Sequence, residues 1–340
     1  MSTKEFHIQW HITSRCNSRC IHCYQDDFSN KGELGWPDLK IVCDNILGMM
    51  KEKDMRLTVA LTGGEPFLKN EVWNVVDYLC NSPYVLNISF ITNGTVIDRY
   101  IPKILSYPLI EEIYVSLDGV RPQTNDYVRG DSMFEKTLRN IKLLKANDLS
   151  VFIMFTLLRC NINEAEDLLD FCRKNSVDGF ILERFIPLGQ GLKAKDELLV
   201  PEEFNKLYKS IFSQCGLDYS EEDGAKYHAL KVELKGGAGN VSGLYGAECI
   251  VGKDGCALLP DGTVLPCRRF NYPLGNLLKE PLSGILANSE VLNKLKQREN
   301  LAEPCRSCSI KECQGCRALA YALTGDYLSF DPLCRLISKK

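Results

Sequence analysis

Ser14-Arg15-Cys16-Asn17-Ser18-Arg19-Cys20-Ile21-His22-Cys23-Tyr24 sets three cysteines at C-x3-C-x2-C directly after an apolar β-type run, Phe6–Thr13. Five more β-type runs follow, at Leu57–Leu61, Leu86–Thr92, Ile113–Leu117, Val151–Leu157 and Gly179–Phe185. Between them Trp36–Met50, Asn70–Cys80, Phe134–Asn147 and Glu164–Asn175 carry a helical period. Strands alternating with helices predict a parallel sheet with right-handed crossovers. Six such units fall short of the eight of a closed barrel, so the expected fold class is α/β, a partial (β/α)6 TIM-like barrel. Chemistry in such barrels gathers at the C-terminal ends of the strands, which is where the cysteine loop begins.

A chain of 340 residues has room for one large domain and a smaller one. A formal charge of −3 asks for neither nucleic acid nor an anionic membrane. No apolar run reaches the roughly 18 residues of a membrane span, and Met1–Ile12 lacks a basic segment followed by an apolar one. A cytoplasmic protein is expected. The sixteen cysteines stand out: they cluster at 16–23, 249–267 and 305–334, with Cys43, Cys80, Cys160, Cys172 and Cys215 scattered between. Without a signal segment, tight clusters at short intervals suit thiolates around a metal better than a disulfide framework. The five isolated cysteines read as small buried hydrophobes. The expected organisation is a barrel over 1–195, a bridging segment over 196–244 and a cysteine-rich domain over 245–340. The bridge holds a helix at Pro201–Gln214, a charged stretch and the glycine-rich Lys235–Asn240.

Three thiolates on one loop can hold three irons of a [4Fe–4S] cube and leave the fourth iron open to an outside ligand. A zinc site, with His22 as a further ligand, and a chance triplet of free thiols also suit the spacing. With Tyr24 following, the loop resembles the signature of the radical S-adenosylmethionine (SAM) superfamily. Other motifs agree in order. Thr62-Gly63-Gly64-Glu65-Pro66 resembles the loop that meets the methionine amino group, with Glu65 as an acceptor. Ile91-Thr92-Asn93-Gly94 and Val115-Ser116-Leu117-Asp118-Gly119 close the third and fourth strands as in the family. Arg129-Gly130 resembles the motif whose arginine pairs with the methionine carboxylate. The resemblance implies S-adenosylmethionine as cofactor, held by Tyr24, Gly63, Gly64, Glu65, Pro66, Thr92, Asn93, Ser116, Asp118 and Arg129, with Ser116 and Asp118 near the nucleoside. Singly, each motif also reads as a turn, a cap or a surface charge. Their order and their places at strand ends favour the joint reading.

The C-terminal third resembles the SPASM domain and its two auxiliary [4Fe–4S] clusters, which makes three clusters in all. Gly262–Cys267 supplies G-x4-C. Cys305, Cys308, Cys313 and Cys316 run C-x2-C-x4-C-x2-C, the last two gaps each one residue shorter than the family's, and Cys334 closes the set. Zinc ribbons use C-x2-C as well. The family's crossed arrangement implies Cys249, Cys256, Cys267 and Cys316 on an inner cluster and Cys305, Cys308, Cys313 and Cys334 on an outer one. The shortened gaps leave Cys313 and Cys316 open to exchange. With four thiolates each, neither cluster would keep an open iron.

The implied activity is reductive cleavage of S-adenosylmethionine to a 5′-deoxyadenosyl radical that abstracts a substrate hydrogen. Glu183 and Arg184, leaving the sixth strand, and Arg268 are the catalytic candidates; a structural ion pair and a surface charge pair are their plainer readings. Arg268-Arg269 stands where sulfatase-maturing relatives carry an acidic base, which counts against that reaction and favours a carboxylate-bearing substrate. SPASM relatives mostly modify ribosomally made peptides, by thioether or carbon–carbon crosslinks, oxidation or epimerisation. The expected partners are therefore a precursor peptide and a flavodoxin- or ferredoxin-type electron donor. Only five residues precede the first strand, so a grip on a leader peptide must come from elsewhere, such as a separate leader-binding protein. A tetrapyrrole-type small molecule is the alternative substrate. An iron–sulfur electron carrier is the non-enzymatic alternative, although a carrier needs neither an open iron nor a nucleoside pocket.

Overall fold

The computed structural model describes residues 4–235, 240–247, 249–311, 313–334 and 336. Strand β1 (Lys4–His11) shows how the sheet is built: Phe6, Ile8 and Trp10 are buried in the main core, while His7 and Gln9 take the opposite, polar face. Period-two alternation puts those two sets on opposite faces of one strand. The apolar face is covered by helices such as Trp36–Lys53, whose Leu39, Val42, Cys43, Ile46, Met49 and Met50 join the same core. Burying a side chain of this kind stabilises by about 1.5–3 kcal/mol.

Strands β2 (Met55–Thr62), β3 (Val85–Thr92), β4 (Ile110–Ser116), β5 (Ser150–Leu157) and β6 (Gly179–Arg184) continue the sheet in chain order, all parallel. These are the six strands read from the sequence. Both edges are then extended by later parts of the chain. β7 (Ala229–Lys235) lies antiparallel to β6 and pairs with β8 (Asn240–Ala247). On the other edge β9 (Gly255–Leu258) runs parallel to β1, followed by β10 (Thr263–Leu265) and β11 (Gly275–Asn276). Among the described residues the result is one open sheet of eleven strands, β11-β10-β9-β1-β2-β3-β4-β5-β6-β7-β8.

Several details differ from the sequence expectations. The helix expected over 164–175 is two short ones, Ile162–Ala165 and Leu168–Lys174. Helix Pro122–Arg129 was not foreseen; its proline sits at the first turn, where a missing N–H costs nothing, and Gly130 ends it at φ +112°. The bridging segment holds its expected helix at Pro201–Gln214, capped by Glu203 accepting from the Val200 N–H at 2.8 Å. Its charged stretch, however, forms the short helix Glu221–Lys226 and strand β7. Leu230, Val232 and Leu234 are buried, while Lys231 pairs with Glu112 and Glu233 at 2.9 Å on the other face. Residues 236–239 of the glycine-rich stretch lie outside the described residues. Of the isolated cysteines, Cys43 and Cys172 are buried but Cys160 is exposed, at the loop after β5. Among the described residues no helix is long and apolar enough to cross a membrane.

Candidate active site

The cysteine loop leaves β1 and is clamped from two sides. From β2, Gly64 N–H donates to Thr13 O at 2.7 Å and Glu65 N–H to Arg15 O at 2.8 Å. A Cβ on Gly64 would lie 2.3 Å from Arg15 O and 2.7 Å from Cys16 Cβ, so glycine alone permits this approach. From beyond β6, Gly191 N–H donates to Cys23 O at 2.9 Å. Gly189, at φ +54°, presses against the Tyr24 backbone, its Cβ position only 2.7 Å from Tyr24 O. The sequence showed this glycine pair merely as the end of the barrel pattern.

Cys16, Cys20 and Cys23 line a single cavity of about 130 Å³. Burial raises the pKa of all three thiols, that of Cys23 to about 11, and neighbouring thiols raise those of Cys16 and Cys23 further. Three thiolates cannot coexist there without a positively charged centre between them. Tyr24, Gly63, Gly64, Thr92, Asn93, Ser116, Arg129, Glu183, Arg184 and Arg268 line the same cavity.

Glu65, Pro66 and Asp118 do not. Glu65 is 0% exposed and accepts from Thr92 Oγ1 and Asn93 N–H, both at 2.8 Å; burial pushes its pKa up to about 7. Its carboxylate ties the β2 loop to the β3 loop, and Pro66 opens a buried turn, Pro66–Leu68. Asp118 is also 0% exposed: it accepts from Arg129 Nη1 at 2.6 Å and from the Thr156 N–H at 2.7 Å. Both acids thus brace the loops, where the motifs implied direct contact with the cofactor. Among the described residues the buried Arg129 Nε and His22 Nδ1 have no hydrogen-bond partner. Three thiols around one cavity, a glycine cradle and two orphaned nitrogens fit a [4Fe–4S] cluster with S-adenosylmethionine beside it.

At the mouth the charges are mostly matched. Arg269 Nη2 donates to Glu183 at 3.0 Å. Arg184 Nη1 donates to Asp331 Oδ2 at 2.9 Å, and its Nη2 donates to Tyr227 O at 3.1 Å. The ion-pair reading therefore describes Glu183 and Arg184. Arg268 is different, and it is no surface charge. It is buried, its guanidinium 4.2 Å from the centre of the Tyr24 ring, and its Nε donates to His11 Nδ1 at 2.8 Å. Burial and then Arg268 hold the His11 pKa well below the usual range, so the imidazole accepts as the neutral form. Among the described residues no carboxylate forms an ion pair with Arg268, and desolvation lowers its pKa.

The C-terminal cysteines fall into two groups. Cys249, Cys267 and Cys316 line a cavity of about 260 Å³, together with Glu183, Arg184 and Arg269. Cys305, Cys308, Cys313 and Cys334 line a separate one of about 800 Å³. Cys256 joins neither. It is 0% exposed in β9, opposite Ile8 of β1, and packs into the apolar core, so the expected inner set of four thiols is a set of three.

Residues 10–172 match the radical SAM superfamily, and residues 249–309 match the iron–sulfur cluster-binding SPASM domain. The chain thus carries a radical SAM domain followed by a SPASM domain, the pairing found in enzymes that use S-adenosylmethionine and iron–sulfur clusters as cofactors. It is 28% identical over 349 residues to an AdoMet-dependent heme synthase of Methanosarcina barkeri, spanning 96% of this chain and 95% of that one. The mycofactocin maturase MftC of Mycolicibacterium smegmatis is 25% identical over 336 residues, spanning 96% and 82%. SuiB of Streptococcus suis, solved with its precursor peptide SuiA, shares the fold at a TM-score of 0.73 and 16% identity, spanning 98% of this chain and 76% of SuiB.

Proposed function

We propose that this enzyme takes a hydrogen atom from a substrate that presents a carboxylate to Arg268. The observation that carries the proposal is a buried guanidinium without a carboxylate partner among the described residues, in the cavity that the three thiols line. An unpaired buried cation is costly, and an incoming carboxylate, matching the planar fork of arginine, relieves that cost. Reductive cleavage of S-adenosylmethionine to a 5′-deoxyadenosyl radical is the chemistry that the bound cofactors supply, with electrons from a flavodoxin- or ferredoxin-type donor.

The chain's own residues bind and orient. Cys16, Cys20 and Cys23 would hold the cluster, and Arg129, with its unpartnered Nε, would bind the methionine carboxylate. Gly63, Gly64, Thr92, Asn93 and Ser116 form the cradle beside them. Arg268 and Arg269 reach over from the C-terminal domain, so that domain closes the mouth and keeps water from the reacting atoms.

Two kinds of carboxylate-bearing substrate are in play. The heme synthase relatives support an iron tetrapyrrole, and the near-complete mutual span with the one from Methanosarcina barkeri favours it. The maturase relatives support a precursor peptide, the first expectation from the sequence. Anaerobic reconstitution, then dithionite and S-adenosylmethionine, distinguishes them. Release of 5′-deoxyadenosine should rise with an iron porphyrin bearing propionates, or alternatively with a synthetic peptide encoded beside the gene. Arg268→Met should raise KM for that substrate while leaving its uncoupled 5′-deoxyadenosine release in place. No 5′-deoxyadenosine under any condition would refute the radical activity, and an unchanged KM in the variant would refute the role of Arg268.

A further inference from the structure

The inner cluster cavity offers three thiols, because β9 turns Cys256 into the apolar core beside β1. A [4Fe–4S] cluster takes four ligands, so one position there falls to some other group. Arginines cannot serve, since the guanidinium has no free lone pair. Glu183 is held by Arg269 at 3.0 Å. His7 lines the cavity from β1 with its Nδ1 on Thr58 Oγ1 at 2.9 Å, which leaves only its Nε2, whereas a second histidine has a ring nitrogen without any partner among the described residues.

His228 lines the same cavity, and its Nδ1 is buried with no hydrogen-bond partner among the described residues. The main chain fixes where it stands. The His228 N–H donates to Ala247 O at 2.9 Å, and the β7–β8 pairing sets Ala229 opposite Ala247. Cys249 follows two residues past Ala247 in the sequence and lines the same cavity as His228. Its surroundings suit a ligand as well: burial, and then the nearby Arg184, Arg317 and Arg269 that line the cavity, lower its pKa and keep the ring neutral, the form that binds metals.

We infer that His228 is the fourth ligand of the inner auxiliary cluster, in the place that the cysteine pattern gives to Cys256. This inference rests on the reading of the SPASM cysteines as cluster ligands. A neutral imidazole in place of a thiolate makes the cluster one charge less negative, which raises its reduction potential, as histidine ligation does in Rieske centres.

The test uses the full chain with Cys16, Cys20 and Cys23 changed to alanine, so that only auxiliary clusters remain after anaerobic reconstitution. Pulsed EPR of the reduced protein should show a nitrogen coupling that shifts on labelling with ¹⁵N-histidine. His228→Ala should abolish that coupling. Cys256→Ser should retain both the coupling and the iron content of its parent. His228→Cys guards against misfolding of the alanine variant: it should keep the iron, lose the nitrogen coupling and lower the midpoint potential. A coupling that persists in His228→Ala, or a cluster's worth of iron lost in Cys256→Ser, would overturn the assignment. Failure of the parent to take up any iron would overturn the cluster reading beneath it.

Discussion

Arg184 and Asp331 should prove strongly coupled in a double-mutant cycle. Arg184 ends β6, and Asp331 lies beyond the C-terminal helix Arg317–Thr324, 147 residues away. Their side chains meet at 2.9 Å with exposures of 2% and 1%. Asp331 also accepts from the N–H groups of Cys316 and Leu333, each at 2.9 Å, so its carboxylate orients a cluster cysteine as well as neutralising the arginine. Asp331→Ala leaves a buried cation unpaired, a rupture that costs about 3–5 kcal/mol. The two stranded N–H donors add about 1–3 kcal/mol each where water cannot reach them. Arg184→Met leaves the carboxylate with those two donors and should cost about 3 kcal/mol. The double variant removes both charges, so it should be no worse than Asp331→Ala alone, giving a coupling energy of about 3 kcal/mol. Urea unfolding of the reduced apoprotein, followed by far-UV circular dichroism, measures all four corners. A coupling below about 0.5 kcal/mol would show that the pair behaves like an exposed one and would refute its role as a rivet between barrel and C-terminal domain.

Three further outcomes are expected. Gly64→Ala must push the Cys16 backbone aside, because its Cβ would lie 2.3 Å from Arg15 O; iron content at the first site, measured with the auxiliary cysteines removed, should fall more than tenfold in affinity, and unchanged loading would exclude the clamp. Gly189→Ala adds a left-handed φ of +54° to a clash with Tyr24, and should destabilise by about 1–3 kcal/mol, read as a lower urea midpoint; an unshifted midpoint would count against it. Glu65, raised from its ordinary 4.5 to about 7 by burial, is protonated more readily in the folded state. Its contribution is full below pH 4.5 and lost as pH rises through about 7. Wild type should therefore lose up to about 3 kcal/mol relative to Glu65→Gln between about pH 5 and pH 8, and parallel pH profiles would refute the shift.

The cysteine loop, the six parallel strands and the loops that face them were legible because each rests on local pattern: a run of β-formers, a fixed cysteine spacing, a Gly-Gly pair. What escaped was decided by partners far away in sequence. Lys231 and Glu233 look like a solvated stretch until Glu112 arrives from β4 to pair with Lys231. Nothing near Glu65 or Asp118 reveals that the backbone N–H groups of Asn93 and Thr156 will claim their carboxylates. Cys256 carries a ligand's spacing, yet pairing with Ile8 of β1 decides which way its strand lies. Arg268 was noticed for its sign. Its significance comes from Tyr24 and His11, more than 240 residues upstream.

The continuous sheet also imposes an order of events during synthesis. β1 is made first, but its outer edge finds a partner only when residues 255–258 have left the ribosome. Until then the nascent barrel carries an unpaired strand edge, the kind of surface that recruits other chains. A premature stop before β9 would therefore leave more than a barrel without its cap: it would leave β1 half-paired beneath the very loop that carries Cys16, Cys20 and Cys23. Residues 255–258 thus complete the strand beneath a site translated more than 230 residues earlier.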